Sequence, residues 1–417
     1  MSRFVLAIGL SLLVGLIGAE RVRYDNYNVY KVIPQTPEQL DLFARLEVSS
    51  DSLKFFDPIV AVDKEIHVLV APHKEPEFLD ILKDNAVQYE LAVKNFQRIL
   101  DEEQLEMNKA RARGIYDWTS YHTLDENYEW LRSLAQQYPD KVELIKAGSS
   151  YEGRDLLGIK ISFKSGNKGV FIEGGIHARE WISPATVTYI TNQLLTSSDA
   201  EVRALAERYD WYIVPHVNPD GYVYTHNKER LWRKTRSKGS SCYGADANRN
   251  WGFHWKEVGA SSSECSETYA GKSAFSEVET QSLSKYISSL KGKISVYLAF
   301  HSFSQLMLFP YGHTSAKAPN HNDLNSIADA AATALAKRYG TKYKYGNTYA
   351  AIYPAAGSSV DWAYGEVGIK VAYTYELRPS SSSSNGFVLA ASQIIPTGQE
   401  TVDSLIALFK AAESKGY

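Results

Sequence analysis

The chain has 417 residues, 44% of them hydrophobic and 22% charged, with a formal net charge of −3. That composition is ordinary for a globular protein and excludes collagen, coiled coil and a disordered chain. A charge so near neutral gives no reason to expect nucleic acid or a polybasic membrane contact. Two cysteines, Cys242 and Cys265, are too few for a disulfide-framework mini-protein, and the length predicts two or three domains, one of them large.

Arg3 precedes an almost wholly apolar run, residues 4–17, followed by Gly18 and Ala19. Such a run is too short to cross about 30 Å of hydrocarbon as a helix. It predicts a signal peptide, residues 1–19, with a membrane anchor as the alternative. No other segment is long and apolar enough to span a membrane. An exported chain predicts a Cys242–Cys265 disulfide, whose loop closure is worth about 3 kcal/mol.

Residues 20–113 carry 13 Lys and Arg against 18 Asp and Glu, while residues 114–417 are nearly balanced, 31 against 30. The acidic block predicts strand 28–33, helix 37–47, strands 53–61 and 65–71, helix 75–85 and strand 86–94. That β-α-β-β-α-β order is ferredoxin-like. A polar helix, residues 97–111, ends in Arg111-Ala-Arg113-Gly, where basic residues at an exposed helix end suit a trypsin-like cut. The block is read as a removable pro-segment, with an interdomain linker as the alternative.

From residue 114 the elements alternate. Strands are predicted over 142–148, 155–161, 169–174, 210–217, 294–301 and 369–377. Helices are predicted over 124–138, 184–195, 199–208, 276–290, 320–339 and 397–415. This implies an α/β fold with a mixed, largely parallel central sheet flanked by helices on both faces.

Functional groups in open α/β sheets gather beyond the carboxyl ends of strands. One predicted strand runs into Gly174-Gly175 and then His177-Ala-Arg179-Glu180-Trp181; another ends on His301. Two His and one Glu form a zinc set that leaves a position open. A core histidine bonded to backbone is the other reading of His301. Asn248 and Arg249 stand side by side on a loop, and Arg can grip a carboxylate with two prongs. Glu376 closes an apolar strand, where a carboxylate is costly unless paired or working.

These segments together resemble the zinc carboxypeptidase A/B family, in its secreted digestive branch. The resemblance rests on His177-Ala-Arg-Glu180-Trp, Asn218-Pro-Asp-Gly221-Tyr, Arg230-Leu-Trp-Arg233-Lys-Thr-Arg and Asp246-Ala-Asn-Arg-Asn-Trp. It rests also on His301-Ser-Phe-Ser-Gln-Leu, Ile352-Tyr353 with Asp361-Trp362, and Tyr375-Glu376-Leu-Arg. They stand in the family's order across 114–417, and the N-terminal block is similar to the family's activation segment.

The resemblance implies roles. His177, Glu180 and His301 would hold one zinc ion, with Glu376 as general base and Arg233 stabilising the oxyanion. Asn248, Arg249 and Tyr353 would bind the terminal carboxylate of a peptide. Arg179, Ser302 and Phe303 would form a subsite further along it; the family commonly has Tyr at position 303. Val360 falls where members preferring Lys or Arg carry an acid, with Leu308, Gly312, Thr348, Ala355 and Thr374 as further pocket lining. The implied protein is a monomeric extracellular exopeptidase of digestive type. It is kept latent by its own pro-segment and freed by a trypsin-like protease at Arg111 or Arg113. Cis peptides are implied at 302–303, 310–311 and 378–379. The alternatives are B-type specificity, a zinc amidase and an inactive zinc-binding module; no Gly-x-Ser-x-Gly elbow points to a serine hydrolase.

Overall fold

The computed structural model describes residues 21–59 and 61–417, so the expected signal peptide lies outside the described residues. The N-terminal unit follows the predicted order: β1 (Asn28–Ile33), α1 (Pro37–Ser49), β2 (Leu53–Phe55), β3 (Ile66–Val70), α2 (Glu75–Asp84) and β4 (Gln88–Val93). Its sheet runs β2-β3-β1-β4, with every pairing antiparallel. Thr36 caps α1 by accepting from the Gln39 N–H, and Pro37 occupies the first turn, where a missing N–H costs nothing. β2 is far shorter than the predicted 53–61. α3 (Gln97–Arg111) then leads to the larger unit.

That unit opens with α4 (Leu124–Gln137), started by a reciprocal capping box between Thr123 and Glu126. There follow β5 (Val142–Ser149), β6 (Asp155–Ile161), β7 (Lys168–Gly174), α5 (Ile182–Thr196), α6 (Ala200–Arg208), β8 (Tyr209–Val214) and α7 (Pro219–Asn227). After a long loop come α8 (Val278–Ser289), β9 (Ile294–Ser304), β10 (Leu306–Phe309), α9 (His321–Tyr339) and β11 (Lys344–Asn347). The chain ends with two short helices, α10 (Thr348–Ala351) and α11 (Ser359–Trp362), then β12 (Val371–Ser380) and α12 (Ile394–Ser414).

Eight strands form one sheet in the order β11-β10-β12-β9-β7-β8-β6-β5. The centre, β12-β9-β7-β8, is parallel, and the β10–β12, β6–β8 and β5–β6 pairs are antiparallel. β8 is buried at every residue and β7 at all but its first, as a parallel sheet covered on both faces requires. α12 packs on α9 and α5, while α4 and α8 pack on β5. Cys242 and Cys265 form the expected disulfide. Cis peptides stand at Ser302–Phe303, Pro310–Tyr311 and Arg378–Pro379, as implied.

The two units share an apolar cluster. Tyr24, Val29, Phe56, Leu69, Phe96 and Leu100 of the N-terminal unit pack with Leu231, Phe303, Phe387 and Val388 of the larger one. Removing that much apolar surface from water is what holds the units together.

Candidate metal centre and active site

β7 ends at Gly174, and Gly175 turns the chain with φ +62°. The Gly175 N–H donates to Ser183 Oγ at 2.9 Å, and Ser183 Oγ donates to the carbonyl of Phe300 on β9 at 2.5 Å. This ties the loop after β7 to β9 and brings His177 and Glu180 beside His301.

His177 Nδ1 lies 2.7 Å from Glu180 Oε1 and 3.2 Å from His301 Nδ1. His301 Nδ1 lies 3.3 Å from Glu180 Oε2. All three side chains are buried, and one donor atom from each falls within 4.8 Å of the others. Ligands held about 2.0–2.1 Å from a tetrahedral ion are roughly 3.3 Å apart. Two of the three separations match that spacing and the third is tighter. Asp246 Oδ1 accepts from His177 Nε2 at 3.0 Å, which places the ring proton there and leaves the Nδ1 lone pair facing the other donors. Two imidazoles and a carboxylate so arranged fit zinc.

Asp246 is a hub that its position at the head of the Asp246–Asn248–Arg249 motif signals, although the motif's amide and guanidinium draw the eye first. Its Oδ2 accepts from Arg233 Nη2 at 2.7 Å and its Oδ1 from the Asn248 N–H at 2.9 Å. Burial opposes its charge, but Arg233, His177 and Arg249 together hold its carboxyl well below the usual range.

Glu376 stands opposite His301 in the β12–β9 register and opposite Leu306 in β10. Burial pushes its carboxyl upward and the Glu180 charge adds to this, against the pull of His301, Arg233 and Arg249.

Arg249 is anchored by Nε to the carbonyl of Gly259 at 2.9 Å and by Nη1 to that of Asn248 at 3.0 Å. Its Nη2 is buried and makes no hydrogen bond within 3.5 Å among the described residues, with the Tyr353 hydroxyl nearby. The guanidinium lies 5.7 Å from the Tyr353 ring centre. Glu376 thus stands beside His301 and Arg233 Nη1 lies 3.8 Å from Glu180 Oε1, while Asn248 is joined to the donors through Asp246 and Tyr353 stands by Arg249.

Val360, Leu308, Ala355 and Thr374 are buried, and Thr348 is partly so. Gly312 allows a close approach: a Cβ there would sit 2.6 Å from the carbonyl oxygen of Ala355. Asp361 is already consumed, accepting from the N–H groups of Gly312 and His313 and from His313 Nδ1 at 3.0 Å.

Arg179 donates to Glu267 at 3.0 Å and lies 4.0 Å over the Phe387 ring, while Phe303 packs edge-on against Phe387 at 5.1 Å. Ser302 gives its N–H to Glu180 Oε2 at 3.1 Å. Arg111 and Arg113 stand apart from this site, at the end of α3, with side chains 43% and 51% exposed.

Residues 127–404 match the family described as zinc carboxypeptidase, and residues 30–103 match the carboxypeptidase activation peptide. The chain is 55% identical over 414 residues to zinc carboxypeptidase A 1 of Anopheles gambiae, covering 99% of this chain and 95% of that one. It is 49% identical over 293 residues to carboxypeptidase B of Astacus astacus, covering 69% and 96% of the two chains. The crystal structure of carboxypeptidase A from Helicoverpa armigera superposes with a TM-score of 0.84 at 30% identity, covering 95% of this chain and all of that one. The chain belongs to the zinc carboxypeptidase family: it is a zinc-dependent metallocarboxypeptidase that carries an activation peptide ahead of its enzyme domain.

Proposed function

We propose that the chain is a secreted A-type zymogen, monomeric and digestive. Removal of residues 20–113 frees residues 114–417 to cleave the last peptide bond of a substrate and release aromatic or aliphatic residues. The observation that carries this reading is Arg249, a fixed guanidinium with one buried donor left over beside the metal donors. A terminal carboxylate satisfies that donor and a mid-chain amide brings no charge to it, which favours an exopeptidase.

His177, Glu180 and His301 would hold the zinc, which when bound supplies a Lewis acid and makes a water at the site more acidic. Asp246 keeps His177 in the tautomer that ligation needs. Glu376 takes a proton from the attacking water and returns it to the departing nitrogen, a role worth about 10²–10⁴-fold. Arg233, held by Asp246, presents a fixed positive charge where the carbonyl oxygen becomes negative. Arg249, Asn248 and the Tyr353 hydroxyl hold the terminal carboxylate. Val360, Leu308 and Ala355 offer an apolar wall, with Thr348, Gly312 and Thr374 as the remaining lining. The Asp361 carboxylate is committed to the Gly312 and His313 N–H groups and to His313 Nδ1, and the proposed lining offers no other acid, so Lys or Arg would be buried poorly paired.

Latency is read in the same terms. The activation segment covers Arg179 and Phe303, expected to contact the peptide upstream of the scissile bond. A trypsin-like protease cutting after Arg111 or Arg113, both half-exposed, would free it. The formed disulfide supports export. The test is kcat/KM on matched blocked dipeptides ending in Phe and in Arg, before and after trypsin, with and without a zinc chelator. Preference for Phe, dependent on zinc and on the cut, is expected. Preference for Arg would overturn the A-type reading, and activity insensitive to chelation would overturn the mechanism.

A further inference from the structure

Glu173 stands at the carboxyl end of β7 and is 1% exposed. No step of peptide hydrolysis uses it. A buried carboxyl is expensive unless hydrogen-bonded or neutral. Ser359 Oγ donates to Glu173 Oε1 at 2.5 Å, and the buried Tyr297 hydroxyl stands against the same carboxyl, although Oε2 makes no hydrogen bond within 3.5 Å among the described residues. Burial pushes this carboxyl upward, partly offset by Ser359, Tyr297 and the nearby His301.

Ser359 opens α11 and is itself fully buried. Its N–H donates to Asn248 Oδ1 at 3.0 Å. An amide whose oxygen is engaged this way has only its NH₂ to offer in the other direction. The two bonds thus form a chain from the sheet, Glu173 to Ser359 to Asn248, whose backbone carbonyl in turn accepts from Arg249 Nη1.

We infer that Glu173 is a positioning residue for the carboxylate clamp: through Ser359 it holds Asn248 with its NH₂ turned to the substrate's terminal carboxylate. This rests on reading Asn248 and Arg249 as that clamp. The role needs an acceptor oxygen and no charge, so Glu173→Gln preserves it and Glu173→Leu removes it.

The full chain, activated by trypsin and loaded with zinc, provides two readouts. One is kcat and KM on a blocked dipeptide ending in Phe; the other is the Kd of 3-phenylpropionate by calorimetry, which reports carboxylate binding without turnover. Glu173→Leu and Ser359→Ala are expected to raise KM and Kd in parallel, about fivefold to tenfold, with kcat within about twofold. Glu173→Gln is expected to match the wild type at all values between about pH 6 and 8. If Glu173→Leu does not fold, Ser359→Ala, which removes only a hydroxyl, carries the test. Asn248→Ala raising KM and Kd while Glu173→Leu and Ser359→Ala leave both unchanged would overturn the inference alone. Asn248→Ala leaving both unchanged would overturn the clamp reading and the inference with it. A fall in kcat at constant KM in Ser359→Ala would likewise count against positioning of the carboxylate.

Discussion

Glu103 of the activation segment and Arg230 of the enzyme domain form a two-pronged ion pair, with Glu103 Oε2 accepting from Nε at 2.7 Å and Oε1 from Nη2 at 2.9 Å. Arg230 also donates Nη1 to the carbonyl of Arg179 at 2.9 Å and lies 3.7 Å over the Trp181 ring. An acidic block facing a basic groove suggests pairing at Arg179 and Arg233. Those two instead take Glu267 and Asp246 of their own domain, because a buried guanidinium is satisfied by the carboxylate its own fold supplies.

Glu103→Ala strands Arg230 in a site that is 1% exposed, and breaking one side of a buried pair costs about 3–5 kcal/mol. The uncut variant is expected to hydrolyse a small blocked dipeptide faster than the uncut wild type, and to be cut faster by trypsin. Silence of the uncut variant would mean that the apolar cluster around Phe303 and Phe387 holds the segment unaided.

Two carboxyls at the boundary are pushed upward, and docking is expected to depend on pH through Glu47. Glu47 is pushed up to about 7 by burial and by Glu267, against Ser266, Arg179 and Arg233. Glu229 is pushed up to about 7 by burial and by Glu267, with its Leu231 backbone bond and Arg21 opposing. Tyr24 donates to Glu229, and Lys54 Nζ lies 3.7 Å from its other oxygen. The groups that act on Glu47 all lie on the opposite unit, so it binds a proton more tightly docked than released; docking is strongest below about pH 4.5 and weakens as pH rises toward about 7. Hydrogen exchange of α1, corrected for its intrinsic pH dependence, is expected to speed up between about pH 4.5 and 7 in the uncut chain. The variant Glu47→Gln should flatten that change; an unchanged slope would remove this group from the account.

Asp246→Asn keeps a shape that fits but loses the charge facing His177 Nε2 and Arg233. Loss of such a partner behind a metal-binding histidine typically weakens the metal by about 10–100-fold. Zinc affinity measured by competition with a chelator is expected to fall in that range, and activity at saturating zinc to fall as Arg233 loses its anchor. Unchanged zinc affinity would contradict the tautomer assigned to His177.

Much of this was legible in residue order. β7 ends at Gly174 as its apolar run predicts, and the run of β9 marks His301, although the strand itself continues three residues further to Ser304. β10 and β11 were not legible. β10 follows β9 after the single residue Gln305, whose φ of +58° breaks the strand without a sequence signal, and β11 reads Lys-Tyr-Gly-Asn at an exposed edge. The ligand residues could be named from their motifs, but the partners of Arg230 and Glu173 could not. Glu103 is 127 positions from Arg230 and Ser359 is 186 from Glu173, and only the folded chain decides which buried acid meets which donor.

Specificity gives the sharpest test of the pocket. Val360 is 3% exposed, and its neighbour Asp361 is held by Gly312 and His313. An apolar substrate side chain buried against this wall gains about 1.5–3 kcal/mol, or roughly 10–150-fold in relative rate. A guanidinium placed there loses its water and finds no counter-charge. Val360→Asp supplies one: the new carboxylate has no hydrogen-bond donors prepared for it, so the folded protein should be less stable, while a substrate Arg relieves that penalty by pairing with it. The ratio of kcat/KM for blocked dipeptides ending in Phe over those ending in Arg is therefore expected to fall by about 100-fold or more in Val360→Asp, with the wild type favouring Phe. Asp361→Asn, in contrast, should loosen the Gly312–His313 turn and lower both rates without reversing their order. If Val360→Asp leaves the ratio where it was, position 360 does not face the substrate side chain, and the pocket must be bounded by other residues.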